Sequence, residues 1–525
     1  VIDIFLTVLS ALVLATCYLG SPFGAVSFVA LVPFFHSVYS AGKKDSFRLG
    51  FLWGLAFFGP VLWWIAPTIS TYGKLPLWAS WIIFGALACY LALYPALWAF
   101  LSRWILPEKN DLSCLGVLAL ASLWILLEFL RATVFSGFPW GSLAYSLCKI
   151  PLLIQTADLF GPYGVGFTII FTNLALWQLI LALENREFFR VHRTCICRCT
   201  AVAMALVASM MIYGRHVLSA RERGDTRVAA IQGSFDQSVK WDPMYRMATL
   251  ERYKTLTKKA REEFPDLKLA VWPETAMPFY FQEDSRLRQE VVSLAKRLHV
   301  GILFGSPSYY YDGKGKVRYR NSAFLVGPDG SFRGRYDKLH LVPFGEYMPW
   351  GSLTAWAREF LPTAGDFKAG DSAAPLISKP FRAGVMICFE SIFPEISREE
   401  VLSGANILAI ITNDAWFGRT AAPVQHADMA VFRAVETRRW IIRSANTGIS
   451  RIISSSGEII SESKLFQPCV ITGLVRLETR ATPYVRFGPY WFLATNLLFI
   501  FMNYFYIKKR WRNSHGQQEA DPDRN

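Results

Sequence analysis

Charge is what this sequence has least of. Asp, Glu, Lys and Arg make up only 18% of its 525 residues, against 53% hydrophobic ones. That balance excludes a disordered chain and one that is water-soluble throughout; it fits a chain part membrane and part globular. Acidic residues are the scarcer sign, 40 against 55 basic, for a formal net charge of +15. A basic excess can serve nucleic acid or an anionic lipid surface. Here many cations flank long apolar runs, which favours lipid and predicts no nucleic-acid partner. There is also no glycine-rich phosphate loop, no zinc signature and no internal repeat. Neither a cofactor nor a metal is therefore expected.

The nine cysteines form no paired framework, which excludes a small disulfide-stapled secreted domain. Cys17, Cys89, Cys114 and Cys148 lie in apolar runs and read as small buried hydrophobes. Cys195, Cys197 and Cys199 make a C-x-C-x-C beside a membrane segment, with no partnering ligand quartet in view, which argues against metal. Only Cys388 and Cys469 fall outside the membrane part.

Apolar runs long enough to cross a bilayer, about 20 residues each, are read near 4–20, 24–41, 49–71, 77–102, 112–130, 162–184 and 199–214, with an eighth near 488–507. The first lacks a cationic flank and a small-residue cleavage site, so it is not read as a removable signal. Lys43, Lys44 and Arg48, then Arg103 and Lys109, then Arg186, Arg190, Arg193 and Arg198, occupy every second loop, and Lys508, Lys509, Arg510 and Arg512 follow the last run. The alternate loops hold only Lys74, then Arg131 and Lys149. The positive-inside rule then puts both termini in the cytoplasm and the large segment between runs seven and eight on the opposite face. The stretch 132–161, with Trp140 and Tyr145, reads either as a headgroup-level anchor or as a re-entrant segment lining a lipid entrance. Glu128 and Arg131, three apart on one helix, read as a local ion pair.

From about residue 227 short β-rich runs alternate with amphipathic helices. Strands are expected at 227–233, 267–274, 300–306, 321–326, 382–388, 406–413, 442–444, 449–454 and 470–477, and helices at 243–263, 285–298, 395–403 and 423–440. Pro328-Asp329-Gly330-Ser331 and Ser455-Ser456-Gly457-Glu458 read as hairpin turns. The mixture argues for a layered α/β or α+β sandwich. The expected division is a membrane part at 1–218, a sandwich at 226–480, a last span at 486–508 and a cytoplasmic tail at 509–525.

Three segments carry ionisable groups where they are awkward without a purpose. Glu274 ends an apolar strand after Trp272-Pro273, Lys338 sits beside Leu339 after Tyr336-Asp337, and Cys388 closes Gly384-Val385-Met386-Ile387. Charged residues seldom go inside unless paired, so the three suggest one pocket. A glutamate raised by burial can move protons, a lysine can hold an oxyanion, and a thiol at a helix start beside a cation is expected to have a lowered pKa. Taken singly, Glu274 and Lys338 read more often as members of a surface ion pair and Cys388 more often as inert core. His426 invites a Cys–His protease reading, but on its helix it reads as structural.

These residues resemble the Glu-Lys-Cys triad of the nitrilase superfamily, and the whole arrangement resembles the apolipoprotein N-acyltransferases of bacterial inner membranes. Further pieces of that likeness are Gln232, Lys240-Trp241, Asn321-Ser322, the run from Pro343 to Pro349, Thr412 to Phe417, Gln425-His426 and Asn446-Thr447-Gly448. The resemblance implies eight transmembrane helices, with an α-β-β-α nitrilase-like sandwich inserted between the seventh and eighth on the periplasmic side. It implies Glu274 as general base, Lys338 as oxyanion partner and Cys388 as nucleophile, with Glu346, Glu390 and Trp241 in support. It implies a phospholipid acyl donor, a diacylglyceryl-modified lipoprotein acceptor, a ping-pong thioester route and a monomer in the inner membrane. Phe389 departs from relatives that carry Tyr after the nucleophile, which puts any hydroxyl role there in doubt. Apolar lids are expected near 344–361 and 415–417. Two rival readings are a membrane-tethered amidase or nitrilase for a small C–N substrate, and a transporter with an external binding domain. The transporter reading predicts charges deep in the spans, and few are found.

Overall fold

A computed structural model of the chain describes residues 1–19, 23–106, 112–220, 223–236, 243–283, 286–349 and 366–519. Among these, five helices are long and apolar enough to cross a membrane: Leu77–Ile105, Cys114–Ser136, Ala157–Glu184, Arg186–Ser219 and Tyr490–Arg510. The pair Lys43–Leu62 and Ile65–Gly73 is apolar and long enough only when taken together, as a broken span or a re-entrant loop, and is bent by 53° at its break. The two remaining runs differ from expectation. They form shorter helical stretches, Ile2–Thr16 and Gly24–Ser40. Fifteen residues reach only about 22 Å, less than the roughly 30 Å of a hydrocarbon core.

The α/β part is built of two six-stranded sheets. The first runs β12-β1-β2-β3-β4-β5 and the second β11-β10-β9-β8-β7-β6. Their strands are β1 (Thr226–Gln232), β2 (Leu269–Val271), β3 (Gly301–Tyr311), β4 (Val317–Val326), β5 (Phe332–Asp337), β6 (Leu376–Ser378), β7 (Phe381–Ile387), β8 (Ile407–Thr412), β9 (Ile441–Ala445), β10 (Arg451–Ile453), β11 (Ile459–Glu462) and β12 (Cys469–Val475). Both hairpin turns expected from sequence are present, joining β4 to β5 and β10 to β11 antiparallel.

Alternation along the strands explains the layering. Val228, Ala230, Val271, Leu303 and Leu325 of the first sheet share a core with Val385, Ile387, Ala409, Ile411 and Ile442 of the second. The opposite side chains of the first sheet, such as Ile231, Trp272, Ile302 and Phe304, pack with Leu250 and Leu294 of the helices Arg246–Glu263 and Arg286–Leu298. Those of the second, Met386, Leu408, Ile410 and Ile441, pack with Ile396 and Val431 from Pro394–Leu402 and Ala422–Thr437, and that core runs on without a break into the membrane helices. Strands with both faces covered are apolar throughout, and β8 is buried at every residue.

Strands β5, β6 and β11 escaped the sequence reading for a physical reason. All three are sheet edges, and β5 and β11 are largely exposed. Edge strands carry charge in place of apolar alternation. Strand ends also shift: β7 stops at Ile387, so Cys388 opens a 3-10 turn, Cys388–Ile392, instead of ending the strand.

Within 132–161, the two aromatic residues expected at a headgroup surface face protein instead. Trp140 and Tyr145 are buried, wedged between the membrane helices and the α/β part. Trp140 donates its indole N–H to Gln425 Oε1 at 2.8 Å, and Arg433 donates to the Tyr145 hydroxyl at 3.0 Å. Glu128 and Arg131 stand 4.0 Å apart, and backbone claims most of their bonding. Arg131 donates to the carbonyls of Phe138 and Trp140 at 2.7 Å each, while Glu128 accepts from the Leu143 N–H at 2.8 Å. The pair folds the wedge. A second tie joins Arg438 to Asp158 at 2.7 Å.

Candidate active site

Each candidate side chain follows a strand. Glu274 lies three residues beyond β2, Lys338 directly follows β5, and Cys388 directly follows β7. Parallel neighbours end at the same level. Asn413 after β8 and Asn446 after β9 therefore arrive at the same rim as Cys388.

The carboxylate of Glu274 is held at both oxygens. Oε1 accepts from the Asn321 amide at 2.8 Å, and Oε2 from the Asn413 backbone N–H at 2.9 Å. Asn321 also donates to Glu346 Oε1 at 3.0 Å. Glu346 in turn receives the Lys338 ammonium, 2.9 Å from Oε1 and 2.8 Å from Oε2. Lys338 is 1% exposed. Burial opposes its charge, but Glu346, Glu274 and Cys388 outweigh that and keep it above its ordinary value. It is a cation at every working pH.

Cys388 feels both charges, and here the structure departs from the sequence reading. Burial pushes the thiol well up, and Glu274 adds to the rise; Lys338 and a contact from Thr412 only offset them in part. The helix start and the lysine were expected to lower the thiol pKa. Desolvation beside a carboxylate outweighs them, and the resting sulfur is a thiol.

The backbone at this thiol is strained and supported. Cys388 has φ of +56°, a left-handed value that non-glycine residues seldom adopt. Its carbonyl accepts from the Ser391 hydroxyl at 2.9 Å and faces His426 Nε2 at 3.1 Å. A carbonyl only accepts, so Nε2 carries a proton. His426 Nδ1 lies 2.9 Å from Asp414 Oδ1, and Asp414 is paired with Arg443 at 2.9 Å, all buried. Burial opposes the Asp414 charge, but Arg443 and His426 outweigh it and hold that carboxyl below its usual range. Both ring nitrogens of His426 are thus engaged behind the Cys388 backbone. Trp140 of the membrane half stacks on that imidazole, centroids 5.8 Å apart. Replacing His426 by leucine should lower turnover about 10- to 100-fold by misplacing Cys388. Glutamine, which keeps an N–H donor, should recover part of it. Comparing kcat and KM for the two variants checks this, and equal losses in both would leave packing as the only role.

Glu390 closes the other side. Its carboxylate accepts from the N–H groups of Ile387 and Leu339 at 2.6 Å each and of His340 at 3.0 Å, and from the Tyr336 hydroxyl at 3.1 Å. It ties the end of β7 to the lysine loop. Burial pushes it up to about 7, while the Ile387 donor and Lys338 pull it down. Glutamine would set an amide among donors. With each lost charge-assisted bond worth about 1.5–3 kcal/mol, Glu390→Gln should lower the thermal midpoint together with activity. A thermal melt beside the activity assay checks it.

Contacts with the membrane half surround the site. His340 Nε2 meets Ser136 Oγ at 3.0 Å and stacks on Phe393 at 3.9 Å. Burial, then Lys338, pushes it down to about 4, so it stays neutral. Phe389 packs edge-on to Phe393 at 5.1 Å and lies 5.9 Å from the His340 ring. Of the expected lids, Trp416 and Phe417 are docked on the membrane half, against Tyr72 at 4.7 Å and Trp64 at 4.9 Å. Residues 350–361 of the other lid, and Trp241, lie outside the described residues. Asp414, Arg443 and Trp140 were missed as neighbours of the nucleophile, because no local pattern joins positions so far apart in sequence.

The chain was compared with known proteins. Residues 10–175 match the profile of the apolipoprotein N-acyltransferase N-terminal domain, and residues 227–484 that of carbon-nitrogen hydrolases. An apolipoprotein N-acyltransferase of Geobacter metallireducens is 41% identical over 490 residues, covering 93% of this chain and 92% of that one. The chain belongs to the apolipoprotein N-acyltransferase family. A relative of the same name from Methylococcus capsulatus is 32% identical over 517 residues, 96% of each chain. Family membership makes the chain an acyltransferase of the carbon-nitrogen hydrolase superfamily, with apolar helices that fit a membrane protein.

Proposed function

We propose that this chain N-acylates apolipoproteins by moving a fatty acyl group from a membrane phospholipid to the α-amino group of an S-diacylglyceryl cysteine, through a thioester on Cys388. The observation that carries the reading is the convergence of Glu274, Lys338 and Cys388 on one buried rim, each shifting the others' charge state or held by shared partners. Glu274 takes the thiol proton as sulfur attacks the ester carbonyl, and the Lys338 ammonium receives the oxyanion; one such donor is worth about 3 kcal/mol. The carbon–oxygen bond breaks, Glu274 returns the proton to the leaving alkoxide, and lysophospholipid departs. The lipoprotein amine then attacks the thioester and gives its proton to Glu274. The carbon–sulfur bond breaks and the thiol is restored. Glu346 positions Lys338, Asn321 bridges the two glutamates, and Glu390 fixes the loop and strand that carry Lys338 and Cys388.

The membrane half supports a lipid donor. Each methylene taken into water costs about 0.8 kcal/mol, so extracting a whole acyl chain costs on the order of 10 kcal/mol. A site walled by Ser136, Trp140 and Tyr72 from the membrane half avoids that cost. The reading extends to topology: all eight apolar segments in the inner membrane, the two short ones packed among longer helices, both termini cytoplasmic. The α/β unit then lies between the seventh and eighth spans on the periplasmic face of a monomer, within the boundaries 1–218, 226–480, 486–508 and 509–525.

The test is product analysis. Purified protein given phospholipid and a diacylated lipopeptide should yield lysophospholipid and triacylated peptide in equal amounts. Ammonia released from a small amide, without lysophospholipid, would establish the hydrolase reading instead.

A further inference from the structure

Three sulfurs that the acyl transfer does not use are gathered in the membrane half. Cys114 is the first residue of the helix Cys114–Thr133, and Cys195 and Cys199 stand one turn apart on Arg186–Ser219. The Cys195 and Cys199 sulfurs are 3.9 Å apart, and all three lie within 4.8 Å of one another. A disulfide needs about 2.05 Å, so these are separate thiols. Three metal–sulfur bonds of about 2.3 Å in a plane put their sulfurs about 4.0 Å apart; the Cys195–Cys199 pair is at that spacing, and Cys114 stands within 4.8 Å of both. Cys195 and Cys199 are buried and Cys114 is partly so, whereas Cys197, the middle member of the C-x-C-x-C, is exposed.

A second observation points the same way. Gln178 is fully buried, and among the described residues neither of its amide atoms has a nitrogen or oxygen hydrogen-bond partner. It lies against Cys199. A neutral thiol is a poor acceptor, but a metal-bound thiolate would take the amide N–H as an outer-shell donor. The start of the Cys114 helix adds its positive end, and the exposed Arg198 lies in the same turn as Cys195 and Cys199.

We propose that Cys114, Cys195 and Cys199 form a three-sulfur site for a soft closed-shell cation, best matched by copper(I), which ties the two helices together. Sulfur-only, three-coordinate donors select this class over cations that prefer oxygen or imidazole. On binding, three S–H bonds break, three copper–sulfur bonds form and three protons leave to solvent; no electron is transferred.

The test uses the full-length protein in detergent, without oxygen, with Cys388→Ser in the background so that the thiol of the acyl-transfer site cannot contribute. Copper(I) is offered from a competing chromogenic chelator. One copper per chain is expected. Cys114→Ser, Cys195→Ser and Cys199→Ser should each weaken binding by more than the roughly 10–100-fold that loss of an outer-shell partner costs. Gln178→Leu should fall within that range, and Cys197→Ser should bind normally. The same cysteine variants in a chain retaining Cys388 should still acylate lipopeptide, which shows that they fold. No uptake from the chelator overturns the proposal, as does binding that survives Cys114→Ser but is lost in Cys197→Ser.

Discussion

Cys388→Ser is expected to abolish the acyl-enzyme and to reduce acyl transfer by roughly 10⁴-fold or more. Wild-type protein exposed to phospholipid alone should gain the mass of one acyl chain, and hydroxylamine should remove it. The serine variant should show no adduct sensitive to that treatment. A serine hydroxyl is far less acidic than a thiol and a poorer leaving group from its ester, so both half-reactions suffer. The variant should fold, because the Cys388 carbonyl that Ser391 and His426 hold is unchanged. An acyl adduct retained by the serine variant, or found on some other residue in both proteins, would remove the thiol from the reaction.

Glu274→Gln is expected to act in opposite directions on two readouts. Acyl transfer should fall by about 10²- to 10⁴-fold, the range for losing a general base. Alkylation of Cys388 by a small reagent should become faster. The carboxylate of Glu274 raises the thiol pKa and Lys338 lowers it. Removing the anion therefore lowers that pKa, and at a fixed pH more thiolate is present. Lys338→Met should do the reverse and slow alkylation. In wild type, where burial holds the thiol above its ordinary value, alkylation should keep rising through neutral and alkaline pH without levelling near neutrality. Slower alkylation in Glu274→Gln would mean that the carboxylate does not face the sulfur, and the proposed proton transfer would fail with it.

Why some of this was legible and some not follows from where each residue gets its environment. Cys388 and Glu274 could be singled out because each ends an apolar run, and Lys338 because it stands beside apolar residues. The long spans were legible because an apolar run needs no tertiary context to declare itself. Edge strands such as β5, Phe332–Asp337, were not, since half-exposed residues follow no apolar rule. The partners of Trp140, Tyr145 and Asp158 in the stretch 132–161 were not legible, because Gln425, Arg433 and Arg438 lie nearly 300 positions away. The C-x-C-x-C motif gave no hint of Cys114, which only the packing of two helices brings beside Cys195.

Local composition and order along the chain determined that this protein is part membrane and part α/β sandwich, and which thiol, amine and carboxylate compete for a chemical role. Tertiary structure alone decided that Cys388 rests protonated, that His426 and Asp414 brace its backbone, and that the membrane half forms a wall of the site. The physical reason is that desolvation and Coulomb interactions depend on distance through space, and a sequence records only distance along the chain.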